Sequence, residues 1–104
     1  MADRNEIVDE KIFNFLNALK KRYRIHSVYI YGSYSKGNAT EWSDIDLAVV
    51  SPDFSENTFD ARVELMKISA TIDDRIEPHP FRIEDFKSSN PLVNEIQKHG
   101  IQIS

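Results

Sequence analysis

Two short apolar segments with a polar turn between them constrain the fold of this chain most strongly. Residues 27–31 (Ser-Val-Tyr-Ile-Tyr) are rich in β-branched and aromatic side chains and stop at Gly32, so they predict a strand. Residues 44–50 (Asp-Ile-Asp-Leu-Ala-Val-Val) predict a second strand. Because side chains alternate along a strand, Asp44 and Asp46 are expected to point to the same side of it.

The remaining apolar residues predict helices around these strands. They recur at three- and four-residue spacing over residues 5–23 and again over residues 58–72, which is typical of amphipathic helices. The buried stripe of the second helix is expected to consist of four residues: Phe59, Val63, Met66 and Ala70. A short helical turn is expected within residues 81–87.

A third strand and a last helix are predicted in the C-terminal part of the chain. The strand is expected over residues 75–80, and Pro78 and Pro80 place it at a sheet edge because proline cannot donate a ladder hydrogen bond. The last helix is expected to begin after Asn90, which precedes a first-turn proline, and to stop at Gly100.

Together these elements predict an α+β fold, an α/β sandwich in which a small mixed β-sheet carries helices mainly on one face. Residues 101–103 are a candidate fourth strand. With 104 residues and no repeat or linker, the chain is expected to form a single domain over residues 1–104.

Composition narrows the classes of function. The chain has no cysteine, which excludes disulfides and cysteine-bound zinc, and no apolar run approaches the about 20 residues of a membrane span. We therefore expect no membrane partner and a cytoplasmic location. The net charge of −4 argues against nucleic acid as the main partner. The basic run at residues 20–24 is read first as a helix C-terminus that complements the helix dipole, and second as a partner-binding patch.

The turn and the two aspartates indicate phosphate and metal chemistry. Gly32 lets the backbone approach a phosphate closely, and Ser33 adds a hydroxyl donor, although Ser33 could equally be an ordinary helix cap. Asp44 and Asp46 offer hard oxygen ligands of the kind that Mg²⁺ prefers. A solvated strand end is the alternative reading of this pair.

The motif also resembles a known family. Gly32-Ser33, ten intervening residues and then Asp44-Ile45-Asp46, set between two strand-like segments and with Gly37 in the spacer, resembles the minimal nucleotidyltransferases of the DNA polymerase β-like superfamily. The resemblance spans nearly the whole chain. It implies the nucleotidyltransferase fold and transfer of an NMP, AMP from ATP above all, to a hydroxyl, with two Mg²⁺ ions and ATP or another NTP as substrate.

The family resemblance also implies a third carboxylate on a neighbouring strand, and here the chain departs from the usual pattern. If residues 75–79 are extended, Glu77 and His79 share the face opposite Ile76. Glu77 is therefore the predicted third catalytic and metal-binding carboxylate, beside Asp44 and Asp46, and Asp74 is the alternative. His79 is read equally as a contact to the triphosphate and as part of a rigid proline-flanked turn.

Partners follow only from the resemblance. Proteins of this kind often act as antitoxins of a small helical HEPN protein, and some modify a tyrosine of that protein with AMP. The sequence does not decide whether the chain forms a homo-oligomer. The alternative function is a catalytically weak or inactive module that binds and neutralises a partner protein. A metal-dependent phosphatase or nuclease is disfavoured, since the histidine-rich ligand set of many such enzymes is missing from the sequence.

Overall fold

The computed structural model describes residues 4–32 and 43–104, and these contain three α-helices and four β-strands. The helices are α1 (Arg4–Lys20), α2 (Phe59–Ala70) and α3 (Pro91–His99); the strands are β1 (Ser27–Tyr31), β2 (Ile45–Val50), β3 (Ile76–Phe81) and β4 (Ile101–Gln102), and a short 3₁₀ turn covers Ile83–Asp85. The predicted element order is thereby confirmed. Residues 33–42, which hold most of the polar turn expected between the first two strands, lie outside the described residues.

The four strands form one mixed sheet in the order β3-β2-β1-β4. β1 runs antiparallel to both of its neighbours, β2 and β4. β3 runs parallel to β2, because α2 carries the chain back across the sheet before β3 begins. This arrangement confirms the predicted α+β architecture with a mixed sheet.

β3 is an edge strand, as its two prolines predict. The carbonyl oxygens of Arg75 and Phe81 accept hydrogen bonds from the β2 side of the sheet, from the N–H groups of Ile45 and Ser51. Pro78 and Pro80 occupy the alternating positions of the strand, whose backbone groups face the free edge. The N–H group that proline lacks is therefore not needed for a hydrogen bond to β2. The prolines thus blunt this edge against pairing with another strand.

The main hydrophobic core lies between the sheet and the first two helices. Among the residues of α1 whose side chains are described, from residue 10 onward, four are buried: Ile12, Phe15, Leu16 and Leu19. They pack with Leu65 of α2 and with strand residues such as Leu47 and Ile76. Because strand side chains alternate, Asp46 and Glu77 lie on the face of the sheet opposite this cluster. The prediction that helices pack mainly on one face is confirmed.

The predicted buried face of α2 is wrong. Phe59, Val63 and Met66 are 67%, 37% and 50% exposed, and Ala70 is exposed too. The helix instead packs through a second stripe, in which Leu65 is fully buried and Ala61 and Ile68 are partly buried; Ile72, just after the helix, is partly buried on the same side. Both stripes follow three- and four-residue spacing on opposite faces of the helix, so periodicity alone could not choose between them.

α3 is capped as the sequence predicts. The side-chain oxygen of Asn90 accepts hydrogen bonds from the N–H groups of Leu92 and Val93, at 2.9 Å and 3.4 Å, and Pro91 occupies the first turn. Val93 is fully buried, whereas Leu92 remains exposed.

In the part of the chain that the structure describes, none of the helices is long and apolar enough to cross a membrane.

Three aspartates outside the core are neutralised by nearby arginines. In each case a guanidinium nitrogen approaches a carboxylate oxygen to within 2.6–2.8 Å: Arg24 with Asp53, Arg75 with Asp73 and Arg82 with Asp85. The side-chain hydrogen bond from the arginine holds the pKa of each aspartate below its ordinary value. These pairs close turns at the ends of β2 and β3 and in the 3₁₀ segment.

Candidate active site where three strands meet

The candidate site lies where β1 ends and β2 and β3 begin. Asp46 is the second residue of β2, and its Cα pairs with that of Glu77, the second residue of β3. On its other side Asp46 pairs with Tyr31, the last residue of β1. The strand register therefore brings two carboxylates and a phenol side by side on one face of the sheet, at one end.

Three side chains at this end could hold a metal ion. The ligand atoms of Asp46, Glu77 and His79 lie within 4.8 Å of one another, and His79 Nε2 lies 3.6 Å from Asp46 Oδ1. Asp46 and His79 are partly exposed and Glu77 is exposed, so an ion could reach them from solvent. Two carboxylates and an imidazole form a donor set suited to a divalent cation.

Gly32 fits this site for two separate reasons. Its φ of +75° lies in the left-handed region that glycine adopts without strain. In addition, a Cβ at this position would lie 2.7 Å from Asp46 Oδ2, which is closer than van der Waals contact. The absence of a side chain at Gly32 therefore lets the Asp46 carboxylate lie directly against the turn, which is also where the sequence predicts that phosphate binds.

Tyr31 reports the electrostatic character of the site. Burial raises the pKa of Tyr31 to about 12, and the negative charge of Asp46 and, to a smaller degree, that of Glu77 add to this rise. Arg62 of α2 opposes it. The Tyr31 ring also lies next to the imidazole of His79, with 5.8 Å between ring centroids. The site is thus electronegative, a property that favours binding of a cation.

The other predicted site residues have different positions. Asp44 is exposed, immediately before β2, and is not in the group formed by Asp46, Glu77 and His79 among the described residues. Asp74, the alternative third carboxylate, lies in the turn before β3 and also outside this group. Ser33 lies outside the described residues. The roles of Asp44, Asp46, Glu77, Gly32 and Ser33 remain predictions.

His79 is the group member that the sequence did not assign to metal binding. Its flanking prolines suggested a rigid surface turn, but the segment is a strand, in which residues two apart share a face. The i, i+2 spacing of Glu77 and His79 indicated that the two side chains share a face of the strand. The sequence did not contain the register with β2, which brings both of them next to Asp46.

A small cavity adjoins the site. It lies between α2 and β3, has a volume of about 230 Å³, and is lined by eight residues that include Arg62, Met66, Asp74 and Glu77. A larger groove of about 1090 Å³ runs between α1 and α2, and its lining includes no residue of the Asp46–Glu77–His79 group. Of the two, the small cavity is the one whose lining includes a member of this group, Glu77.

The small mixed sheet with paired carboxylates beside Gly32 agrees with the class of nucleotidyltransferase-like domains. The model of the family described as "Nucleotidyltransferase domain" matches residues 12–102, and the chain belongs to this family. The predicted family and fold are thereby confirmed.

Individual relatives agree with this assignment. The chain is similar to the "Putative protein adenylyltransferase MJ1305" of Methanocaldococcus jannaschii, with 31% identity over an alignment that covers 83% of this chain and 67% of that protein. Matches to two further relatives from the same organism span 44% and 47% of their lengths, about half of each protein.

Two solved structures have a similar fold. One is the crystal structure of a toxin-antitoxin with AMP-PNP, at 27% identity and a TM-score of 0.62, covering 89% of this chain and 69% of that one. The other is a mutant of the toxin-antitoxin MntA-HpeT, at 28% identity and a TM-score of 0.61, covering 92% of this chain and 71% of that one.

Proposed function

We propose that this chain is a Mg²⁺-dependent nucleotidyltransferase that moves AMP from ATP to a hydroxyl group of a partner protein and releases pyrophosphate. The observation that carries this proposal is the register pairing of Asp46 with Glu77 on parallel strands, beside the left-handed Gly32. Two carboxylates aligned in this way repel one another unless a cation lies between or beside them.

The residues present fit a magnesium site. Asp46 and Glu77 would hold the metal through carboxylate oxygens, which are the ligands that Mg²⁺ prefers, and Asp44 is the predicted additional ligand. When bound, Mg²⁺ neutralises the triphosphate and stabilises the charge that develops during phosphoryl transfer.

The chain itself would orient the nucleotide and activate the acceptor. Gly32 has no side chain, so it is proposed to let phosphate oxygens approach its backbone, and Ser33 is proposed to donate a further hydrogen bond to the β- and γ-phosphates. Glu77 is exposed and lies on the same face of the sheet as Asp46, from which the acceptor hydroxyl would approach. A carboxylate oxygen of Glu77 would then accept the proton as the hydroxyl attacks the α-phosphorus.

The proposed partner is a small helical HEPN-type toxin, with this chain as its antitoxin and the cytoplasm as the location. Two findings support it: the relative named as a protein adenylyltransferase, and the toxin-antitoxin structures with the same fold. Both concern other proteins, so the acceptor of this chain is to be identified by experiment.

Transfer of label tests the proposal. The chain is incubated with α-labelled ATP, Mg²⁺ and the protein that co-purifies with it, and label is expected on the partner. Asp46→Asn and Glu77→Gln are expected to lower transfer strongly, whereas Glu10→Gln, the matched loss of an exposed carboxylate on α1, is expected to retain it. Equal transfer by Asp46→Asn and the wild type would contradict the proposal.

The second candidate function is a binding module with weak or no catalysis. The position of Asp44, exposed and outside the group of Asp46, Glu77 and His79, favours it, because only one aspartate of the motif then contributes to the described group. Neutralisation of the partner separates the two functions. If Asp46→Asn neutralises the partner as well as the wild type does, without label transfer in either, the binding module is correct.

A further inference from the structure

We infer that His79 is a ligand of the metal ion, so that the site binds its cation through two carboxylates and one imidazole. This inference rests on the proposed function in one respect only, namely that the site holds a divalent cation. It adds a nitrogen ligand to a site for which the sequence predicted carboxylates alone, and this ligand changes which cation the site prefers.

The first support is distance. Two ligand atoms at about 2.1 Å from one ion lie about 3 Å apart when adjacent and about 4 Å apart when opposite. His79 Nε2 lies 3.6 Å from Asp46 Oδ1, and all three ligand atoms of the group lie within 4.8 Å of one another. Small rotations of the carboxylates would therefore bring all three donors onto one ion.

The second support is the strand register, which leaves room for the imidazole to lean toward Asp46. His79 pairs with Ala48, two residues beyond Asp46 on β2 and on the same face of the sheet. Ala48 contributes only a methyl group there and is fully buried. A larger residue at this position would occupy the space across which the imidazole of His79 approaches the Asp46 carboxylate.

The third support is the rigidity of the segment that carries the histidine. Pro78 and Pro80 fix their own φ angles, and a residue that precedes proline is restricted to extended conformations, which is the conformation of β3 here. The backbone of His79 is thus ordered before any ion binds. Less conformational entropy is lost on binding, which favours a ligand role over that of a solvated side chain.

The nitrogen ligand has a consequence for metal preference. Mg²⁺ is bound almost entirely by oxygen, whereas imidazole suits first-row transition ions, and Mn²⁺ accepts both kinds of donor. The site is therefore expected to bind Mn²⁺ more tightly than Mg²⁺, and the difference is expected to depend on His79.

Pulsed electron paramagnetic resonance of the full chain with Mn²⁺ alone tests the inference directly. The chain contains three histidines, so His79→Gln can be compared with His26→Gln and His99→Gln as matched controls. In the wild type and both controls, we expect ¹⁴N modulation from a coordinated imidazole. In His79→Gln the modulation is expected to disappear and the Mn²⁺ affinity to fall about tenfold or more. Circular dichroism checks that each variant is folded.

Three outcomes would overturn the inference: Mn²⁺ bound by the wild type without ¹⁴N modulation, modulation that persists in His79→Gln, or no Mn²⁺ binding by the folded wild type. The label-transfer assay with Mg²⁺ is independent of this readout. Transfer without ¹⁴N modulation would refute the ligand role of His79 and leave the proposed function intact. Modulation without transfer to the co-purified partner would support the ligand role and count against the proposed function.

Discussion

Two sets of carboxylates in this molecule differ in what neutralises them. Asp53, Asp73 and Asp85 each accept hydrogen bonds from an arginine, and those bonds lower the pKa of each aspartate. Asp46 and Glu77 lie side by side on parallel strands, and His79 Nε2 lies 3.6 Å from Asp46 Oδ1. The first set stabilises turns within the chain, whereas the second set is expected to gain stability when a cation binds.

The largest expected effect separates the two sets by activity. Asp46→Asn is expected to lower AMP transfer by about 10²–10³-fold or more. The substitution removes a ligand of the cation whose charge stabilises the transition state. The same chemical change at Asp53 is expected to leave transfer unchanged, since Asp53 lies at the other end of β2 and pairs with Arg24. Initial rates of label transfer measure both, and a similar loss in the two variants would remove the distinction.

The second prediction decides which acidic residue acts as the third carboxylate. Glu77→Gln is expected to lower transfer by about 10²-fold, the contribution of a positioned general base, whereas Asp74→Asn is expected to change it little. The reason is position: Glu77 is in the group with Asp46, and Asp74 lies in the preceding turn. If Asp74→Asn shows the larger loss, the register argument for Glu77 is wrong.

The third prediction concerns the space beside Asp46. Gly32→Ala is expected to lower the free energy of unfolding by about 1–2 kcal/mol, because alanine is disfavoured at positive φ, and it adds a Cβ that crowds Asp46 Oδ2. Gly32→Asn tolerates positive φ better but has the same Cβ. Urea denaturation measures the free energy of unfolding, which reflects the backbone effect. Mn²⁺ titration measures the metal affinity, which reflects the crowding of Asp46. We expect asparagine to recover stability but not metal affinity, and recovery of both would show that crowding is unimportant.

The smallest effect is a pH-dependent one at Asp73. Its pKa is below the ordinary 3.8 in the folded chain because Arg75 donates hydrogen bonds to it. This pair therefore contributes stability above about pH 4, and the contribution disappears as pH falls through the folded pKa. Asp73→Asn is expected to lower the free energy of unfolding by about 1 kcal/mol near neutral pH and by progressively less in acid. A loss that is the same at all pH values would contradict this account.

The sequence predicted the strands of this fold better than the buried face of α2. The short apolar segments that stop at Gly32 or begin at Asp44 are typical of strands and not of helices. Pro78 and Pro80 correctly predicted an edge strand. α2 carries two apolar stripes on opposite faces, and packing against the sheet buried the one that contains Leu65. Such a choice depends on tertiary contacts, which local periodicity does not contain.

The candidate site shows the same limit. The motif residues Gly32 and Asp46 follow from sequence spacing, because they belong to adjacent segments of the chain. The proximity of Glu77 and His79 to Asp46 depends on the parallel register of β2 and β3, which brings together residues some 30 positions apart in the sequence. The sequence could name Glu77 as a candidate but could not exclude Asp74 or group His79 with the carboxylates.

The central claim is that Asp46 and Glu77 are placed to bind a cation together with the nucleotide, at little cost to the fold when either is neutralised. Urea unfolding midpoints of the wild type, Asp46→Asn and Asp53→Asn, each in EDTA and then with Mg²⁺ and ATP, test it most directly. The account predicts that ligands raise the midpoint of the wild type and of Asp53→Asn but not that of Asp46→Asn, whose midpoint in EDTA is at least that of the wild type. A wild-type midpoint unaffected by Mg²⁺ and ATP, or an Asp46→Asn midpoint raised as much as that of the wild type, would contradict it.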